Sequence, residues 1–292
     1  MIKSKLILGT VQFGLDYGIN NSKGKPSLNE VFDTLSTAHA NGIKILDTAE
    51  AYGNSQNIIG EFHKKNPDKI FKIITKFVTK NTTENFDIIS KIKDNCAILN
   101  VKNLYAYMFH NFDGFKTNKS IYTELANAKS QNLIQKIGIS LYTNQEIEYV
   151  LNSDAHFDII QVPFNLLDNA KQRKDIFVKA KLKGIEIHTR SVFLQGLFFM
   201  NSESLIEKNI DLSNDISLLQ NIIHKYDLDI SSLALQYAYQ KDYIDYLVIG
   251  VDNSQQLKNN ISSLKTPQSI PDKKIDEIDV KNKAMLNPSN WK

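Results

Sequence analysis

Short apolar runs alternate with helical patterns along most of the chain. Each run ends in a polar residue or glycine, and the segment that follows carries apolar residues three or four positions apart. This alternation predicts strands that are each followed by a helix packed on the sheet. The predicted strands are Leu6–Thr10, Ile43–Asp47, Phe71–Lys76, Leu104–His110, Ile137–Ser140, Ile159–Phe164, Ile185–Arg190 and Tyr246–Gly250.

The helical segments have clear starts and stops. Ser27 and Glu30 have the spacing of a capping box, and Asn41-Gly42 predicts the end of that helix. Residues 11–25 are predicted to form a loop, 193–212 have no clear period beyond a short helix at Leu205 and Ile206, and the proline-containing tail ends at Trp291. The remaining predicted helices are centred on Ser55–Phe62, Phe86–Leu99, Ile121–Ala128, Ile147–Leu151, Ala170–Lys183, Ile216–Tyr226, Leu233–Tyr239 and Gln255–Leu264.

Eight strand–helix units without a linker favour a closed (β/α)₈ (TIM) barrel of the α/β class. An open dinucleotide-binding sheet is less consistent, because no Gly-x-Gly-x-x-Gly follows the first strand. The 292 residues are predicted to form one domain, with a tail from about residue 266 to 292 near the mouth of the barrel.

Composition narrows the functional classes. The chain is 42% hydrophobic and 23% charged, with a net charge of +3, and its only arginines are Arg173 and Arg190. No basic stretch interleaved with aromatics suggests nucleic-acid binding. The single Cys96 excludes an intramolecular disulfide and fits a reducing compartment. Neither a secretory segment at Met1–Leu8 nor a long apolar run is evident, so we expect a cytoplasmic protein without membrane spans. No metal site and no oligomeric state are predicted.

Polar residues at the strand ends are the candidates for chemistry. In a (β/α)₈ barrel these ends form the active site. Each residue alone also has an ordinary structural explanation, such as a solvated lysine, a hydrogen-bonded histidine or a helix-capping aspartate. Their joint occurrence in this order favours a site. The set comprises Asp47, Lys76, His110, Ser140, Gln161, Arg190 and Gly250, with Tyr52 just past the second strand.

Four of these side chains suit the reduction of a carbonyl. Hydride addition creates an alkoxide that needs a proton, and a tyrosine hydroxyl can supply it when a nearby cation lowers its pKa from about 10. Tyr52 is the candidate acid, Lys76 the cation, and Asp47 the group that positions the lysine. His110 is expected to hydrogen-bond the carbonyl oxygen.

The sequence resembles the aldo-keto reductases from Leu6 to about Leu264. Asp47-Thr-Ala-Glu-Ala-Tyr52-Gly matches the active-site signature of that family, Lys76 matches its lysine after Thr, and His110 matches its strand-four histidine. The resemblance implies a barrel with an Asp, Tyr, Lys and His tetrad. It also implies NADPH or, less often, NADH, bound in an extended conformation.

The resemblance further implies a set of ligand contacts. The cofactor positions are Gly9, Thr10, Asp47, Ser140, Gln161, Arg190, Ser191, Leu194, Gln195, Gly196, Gly250, Asn253, Gln256 and Asn260. The substrate positions are Phe13, Tyr52, Phe77, His110, Asn111 and the tail with Trp291.

Two cofactor positions depart from the family pattern. Leu141 replaces the Asn that normally helps to hold the carboxamide, and Arg190 replaces a Tyr or Trp that stacks on the nicotinamide. A planar guanidinium can also stack on a ring; pairing of Arg190 with a loop carboxylate is the alternative.

The sequence leaves open which cofactor is preferred and which substrate is reduced. Many relatives place Lys and Arg after strand eight to hold the 2′-phosphate of NADPH, whereas Gly250 and Gln256 are uncharged here. Lys258 is expected to point elsewhere, and Asp252 would oppose a phosphate if it faced the ribose. We therefore expect a weakened NADPH preference, with use of both cofactors left open. The run Arg190–Gly196 resembles bacterial members connected with sugar metabolism, which implies a sugar-like substrate as one option.

Two other functions are consistent with parts of the pattern. A regulatory protein of the same fold could bind the cofactor with negligible turnover, although the complete tetrad argues against it. An unrelated barrel enzyme, such as an isomerase that binds phosphate through its last two strands, would leave the tetrad unexplained.

Overall fold

The computed structural model describes residues 4–21, 24–79, 87–208, 210–266 and 268–291. Eight parallel strands form a closed barrel in chain order, and β8 pairs with β1. The predicted (β/α)₈ fold is confirmed, and each predicted strand is present with small shifts at its ends. The strands are β1 Leu6–Gly9, β2 Ile45–Asp47, β3 Lys72–Phe77, β4 Leu104–Phe109, β5 Ile134–Ser140, β6 Ile159–Pro163, β7 Glu186–Arg190 and β8 Tyr246–Ile249.

Helices surround the barrel and continue into the tail. The α-helices are α1 Val11–Gly14, α2 Leu28–Ala40, α3 Ser55–Lys65, α4 Ile88–Leu99, α5 Phe112–Thr117, α6 Ser120–Ser130, α7 Asn144–Leu151, α8 Ala170–Leu182, α9 Ser202–Glu207, α10 Ser213–Tyr226, α11 Ile230–Tyr239, α12 Ser254–Lys265 and α13 Asp272–Asp276. Shorter 3₁₀ segments are Leu194–Phe199, Lys283–Leu286 and Pro288–Asn290.

Local sequence explains where several helices begin. The predicted capping box is present: the Ser27 hydroxyl accepts from the Glu30 amide, and the Glu30 carboxylate accepts from the Ser27 amide. Helix α3 begins at Ser55, as its pattern predicts, and ends before Asn66. Helices α1 and α5 and the helical turns of the tail were not predicted, because they are too short to show a period. Phe86 and Pro267, which belong to predicted segments, lie outside the described residues.

The two-residue period of the strands divides the core into two parts. Inward side chains such as Ile7, Ile74 and Met108 fill the lower barrel, while outward side chains pack beneath the helices. In β3, Ile74 and Lys76 therefore point inward, whereas Phe77 packs outward against the rings of Tyr107 and Phe109. The polar inward residues near the strand ends are left to line the mouth. None of the helices within the described ranges has the length and apolar character needed to cross a membrane.

Candidate active site

The four predicted catalytic residues meet at the C-terminal mouth of the barrel. Asp47 ends β2, Lys76 lies near the end of β3, His110 follows β4, and Tyr52 lies in the turn after β2. Lys76 Nζ donates to Asp47 Oδ2 at 2.6 Å and lies 5.2 Å from the centre of the Tyr52 ring. The Tyr52 and His110 rings meet edge to face at 5.8 Å. The structure thus brings the set together.

Burial and neighbouring charges determine the protonation states of Lys76 and His110. Burial alone would lower the pKa of Lys76, but the Asp47 carboxylate, together with Tyr52, raises it above its ordinary value. Gln161 Nε2 donates to the second oxygen of Asp47 at 2.8 Å, which fixes the carboxylate. Burial lowers the pKa of His110 to about 4, and the positive charge of Lys76 adds to this effect. Near neutral pH the site therefore contains a charged lysine and a neutral histidine.

Glu50 holds the turn that carries Tyr52, a role that sequence reasoning missed. The Glu50 amide donates to the Lys76 carbonyl at 2.9 Å. Its carboxylate accepts from the Tyr107 hydroxyl at 2.6 Å and from Asn95 Nδ2 at 2.9 Å. Because these partners lie on β4 and α4, the turn is anchored to the barrel wall and to the helix layer. The acidic residue within the signature was the available signal.

A cavity of about 490 Å³ extends from the tetrad towards the start of α12. Besides the tetrad, it contains most of the predicted cofactor positions. These are Gly9, Thr10, Asp47, Ser140, Gln161, Arg190, Ser191, Gln195, Gly196, Gly250 and Gln256.

Three predicted cofactor positions do not line the cavity. Leu194 is fully buried in the core. The Asn253 side chain caps α12 by accepting from the Gln256 amide at 2.9 Å, and Asn260 is buried on that helix.

Three predicted substrate positions and Trp291 also lie away from the cavity wall. Phe13 and Phe77 are buried in the outer core, and Asn111 caps α5 by accepting from the Gly114 amide. Trp291 Nε1 donates to Met285 O within the tail. The tail reaches the cavity through Pro288 and Ser289 instead, and Tyr17 and Tyr142 are aromatic residues of its wall that sequence reasoning missed.

The cavity fits an extended dinucleotide. Gly250 lines the cavity, and a Cβ at this position would lie 2.6 Å from Gln12 Nε2, so the Gln12 side chain would have to move. Ser140 is 5% exposed, lines the cavity and lies opposite Gln161 in the register of β5 and β6. Gln161 Nε2 donates to Asp47, and the Gln161 side chain lines the same cavity. These two groups can hold a carboxamide without the missing Asn.

The loop after β7 crosses the cavity in a strained conformation. Ser191, Leu194 and Gln195 have positive φ values of 61°, 46° and 55°. Such conformations cost non-glycine residues of order 1–3 kcal/mol and occur at ligand clamps. Gln195 O accepts from the Ile19 amide at 3.1 Å, so this loop joins the loop after β1 across the cavity. The arrangement can cover a bound ligand.

The far end of the cavity is acidic. Asp252 and Gln256 line it, and the Gln256 side chain accepts from the Asp252 amide at 2.7 Å. Ser254 donates to Asp33 beside this turn. Within the described residues, Lys76 of β3 and Arg190 of β7 are the lysine and arginine side chains of the cavity wall.

Comparison with known proteins agrees with the fold and gives the family. The model of the Aldo/keto reductase family matches residues 5–283. An NADH-specific methylglyoxal reductase of Escherichia coli (strain K12) is 23% identical over 276 residues, covering 80% of this chain and 82% of that protein. The solved aldo-keto reductase AKR11C1 from Bacillus halodurans, in its holo form, has a TM-score of 0.73 and 18% identity, covering 95% and 92% of the two chains.

Family and geometry therefore lead to one conclusion. The family match extends over nearly the whole chain, and Asp47, Tyr52, Lys76 and His110 all line the cavity at the barrel mouth. The chain belongs to the aldo/keto reductase family and is an NAD(P)H-dependent oxidoreductase that reduces carbonyl compounds.

Proposed function

We propose that the protein reduces a small aldehyde or ketone with NADH and uses Tyr52 as the general acid. The observation that carries this proposal is the buried Lys76, paired with Asp47 at 2.6 Å and lying 5.2 Å from the Tyr52 ring centre. A cation in this position favours loss of the tyrosine proton as the alkoxide forms. The cytoplasm is the proposed location, in keeping with the free, buried Cys96.

Each member of the tetrad has a separate task. NADH held in the cavity would supply the hydride for the carbonyl carbon. Tyr52 donates its hydroxyl proton to the carbonyl oxygen, and Lys76 stabilises the phenolate that remains. Asp47 holds Lys76 in place and balances its charge. His110, neutral because of its lowered pKa, donates a hydrogen bond that orients the carbonyl.

Residues along the cavity are proposed to hold the cofactor. Ser140 and Gln161 would bind the carboxamide, and the loop containing Gln195 and Gly196 would cover the pyrophosphate. Arg190 would lie beside the nicotinamide.

The acidic far end favours NADH over NADPH. A 2′-phosphate is held best by charge-assisted hydrogen bonds from Arg or Lys. Here Asp252 lines the cavity and Asp33 lies behind Ser254. NADPH would lack these charge-assisted bonds, each worth roughly 1.5–3 kcal/mol, and its 2′-phosphate would also be repelled by the Asp252 carboxylate. The NADH specificity in the name of the Escherichia coli relative supports the same choice.

Two measurements test this proposal. Steady-state oxidation of NADH with methylglyoxal and a panel of aldose sugars tests the reaction. NADH binding without turnover would favour a regulatory role instead. Fluorescence titration with NADH and NADPH at two salt concentrations tests the cofactor choice. We expect NADH to bind at least about tenfold more tightly, a difference of about 1.4 kcal/mol.

A variant that lacks one carboxylate of the cavity tests the preference between NADH and NADPH further. Asp252→Asn should narrow the NADH preference, because it removes a charge that opposes the phosphate. Asp94→Asn on the exposed face of α4 is the matched control and should leave the preference unchanged. Tighter binding of NADPH than NADH by the wild type, weakening steeply with salt, would refute the assignment.

A further inference from the structure

The two arginines of the chain lie on either side of Tyr142, in the loop after β5. Arg173 is fully engaged: it donates to both oxygens of Asp168 at 2.6 and 2.7 Å, to Asn144 Oδ1 at 2.7 Å and to Tyr142 O at 2.6 Å. These bonds fix the Tyr142 backbone. Arg173 is thus a structural residue.

Arg190 is held differently. Its guanidinium carbon lies 4.2 Å from the centre of the Tyr142 ring, so one flat face is covered. Its protein acceptors are Leu141 O at 3.3 Å and Ser191 Oγ at 3.4 Å, both long for a charged donor. No carboxylate of the described residues lies within 4.0 Å of it, so the alternative of a paired Arg190 is not found. Its in-plane N–H groups remain available to a ligand.

The side chains at the catalytic end of the cavity carry a net positive charge. Asp47 and Lys76 neutralise each other at 2.6 Å. Burial, helped by nearby positive charge that includes Arg190, lowers the pKa of His110 to about 4 and keeps it neutral. Asp252 lines the cavity at the α12 end. The catalytic end therefore has one uncompensated positive charge, which faces the same space as the tetrad.

We propose that the carbonyl substrate carries a carboxylate that binds to Arg190. The guanidinium fork matches the two oxygens of a carboxylate, and its five donors permit a bidentate bond. Stacking on Tyr142 already holds the fork, so little side-chain freedom is lost on binding. A lysine, which the chain uses almost everywhere else, offers neither the plane nor the fork. This inference rests on the proposed carbonyl reduction.

Acids and their neutral methyl esters test this directly. The probes are 4-oxobutanoate and 4-formylbenzoate, each paired with its methyl ester, which keeps the shape and removes the charge. We expect the wild type to have a kcat/KM about ten- to hundredfold higher for the acids, as one charge-assisted interaction provides. Arg190→Gln should abolish this preference, and Arg190→Lys should keep part of it. Lys179→Gln, on the exposed face of α8, is the charge-matched control and should retain it.

A second readout separates this inference from the reaction itself. Calorimetric titration of the four compounds into enzyme saturated with NADH measures affinity without turnover. Equal affinities and equal kcat/KM values for acid and ester would overturn the inference while leaving carbonyl reduction intact. A weaker affinity of Arg190→Gln for NADH, with an unchanged acid-to-ester ratio, would also overturn it, because the donors would then serve the cofactor. Absence of NADH oxidation with all four probes, with methylglyoxal and with the aldose sugars would refute the proposed function, and the affinity ratio would still decide the carboxylate assignment.

Discussion

Replacing Asp47 by Asn should strongly destabilise the protein, because it leaves the buried positive charge of Lys76 without its partner. Lys76 and Asp47 side chains are 1% and 5% exposed and meet at 2.6 Å. Breaking such a pair by removing one partner typically costs about 3–5 kcal/mol, since the remaining charge lacks compensation. We expect a loss of this size in the free energy of unfolding at pH 7.

The loss should depend on pH with a defined sign. In the wild type the pKa of Lys76 is raised above 10.5, so its stabilising contribution is complete below that pH and is lost only above it. Without Asp47, burial dominates and lowers the pKa of Lys76 below its unfolded value. The unfolded state then binds the proton more readily at pH 7, and the destabilisation should shrink as the pH rises towards 10.5.

Urea unfolding at pH 7 and pH 10 measures both effects. The set comprises the wild type, Asp47→Asn, Lys76→Met and the double variant, with Lys65→Met as the control. Lys65 pairs with Glu61 at 2.7 Å but is 59% exposed, so its loss should be below about 1 kcal/mol. The double variant should show a coupling energy of about 2–3 kcal/mol. Additive losses, or an Asp47→Asn loss that is equal at the two pH values, would refute the reasoning.

Three further predictions concern the same site. Because burial lowers the pKa of His110 to about 4, the imidazole should stay neutral well below pH 6.5, and kcat/KM should stay level to about pH 5; an acid limb near pH 6.5 would contradict this. Glu50→Gln should lower the free energy of unfolding by about 1–3 kcal/mol and reduce kcat, because the amide cannot accept from all the donors that contact the Glu50 carboxylate. Urea unfolding and steady-state assays measure the two effects, and an unchanged kcat would count against the role of Glu50 in holding the turn. Lys76→Met should cost about as much turnover as Tyr52→Phe, and the double variant little more than either, because the two residues form one proton-donating unit; multiplicative losses would exclude that cooperation.

The convergence of the candidate tetrad could be predicted because strand periodicity fixes the direction of a side chain as well as its location. Asp47, Lys76 and His110 each end an apolar run, and the barrel converges all such ends on one mouth. The same period explains why Phe77 does not line the cavity, since it follows the inward-pointing Lys76 and therefore faces the helices. The period alone therefore predicts that Phe77 faces away from the cavity.

Other features depend on tertiary contacts that no local pattern encodes. Tyr17 and Tyr142 lie in loops, where side-chain direction has no period, and only the folded chain brings them to the cavity. The capping bond of Asn111 could not be predicted, because α5 is too short to show a helical period. The direction of Arg190 was likewise set by Tyr142, a residue of a different strand end.

The role of Tyr52 as the proton donor is tested most directly by Tyr52→Phe. The ring that contacts Lys76 and His110 is kept, and only the hydroxyl is removed. General acid catalysis usually contributes about 10²–10⁴-fold, so NADH-dependent turnover should fall by that factor, while the Kd for NADH stays within about twofold of the wild type. Tyr142→Phe, in the same cavity, is the matched control and should retain most of the turnover. A Tyr52→Phe enzyme that keeps more than about a tenth of wild-type turnover would contradict the assignment of Tyr52 as the general acid.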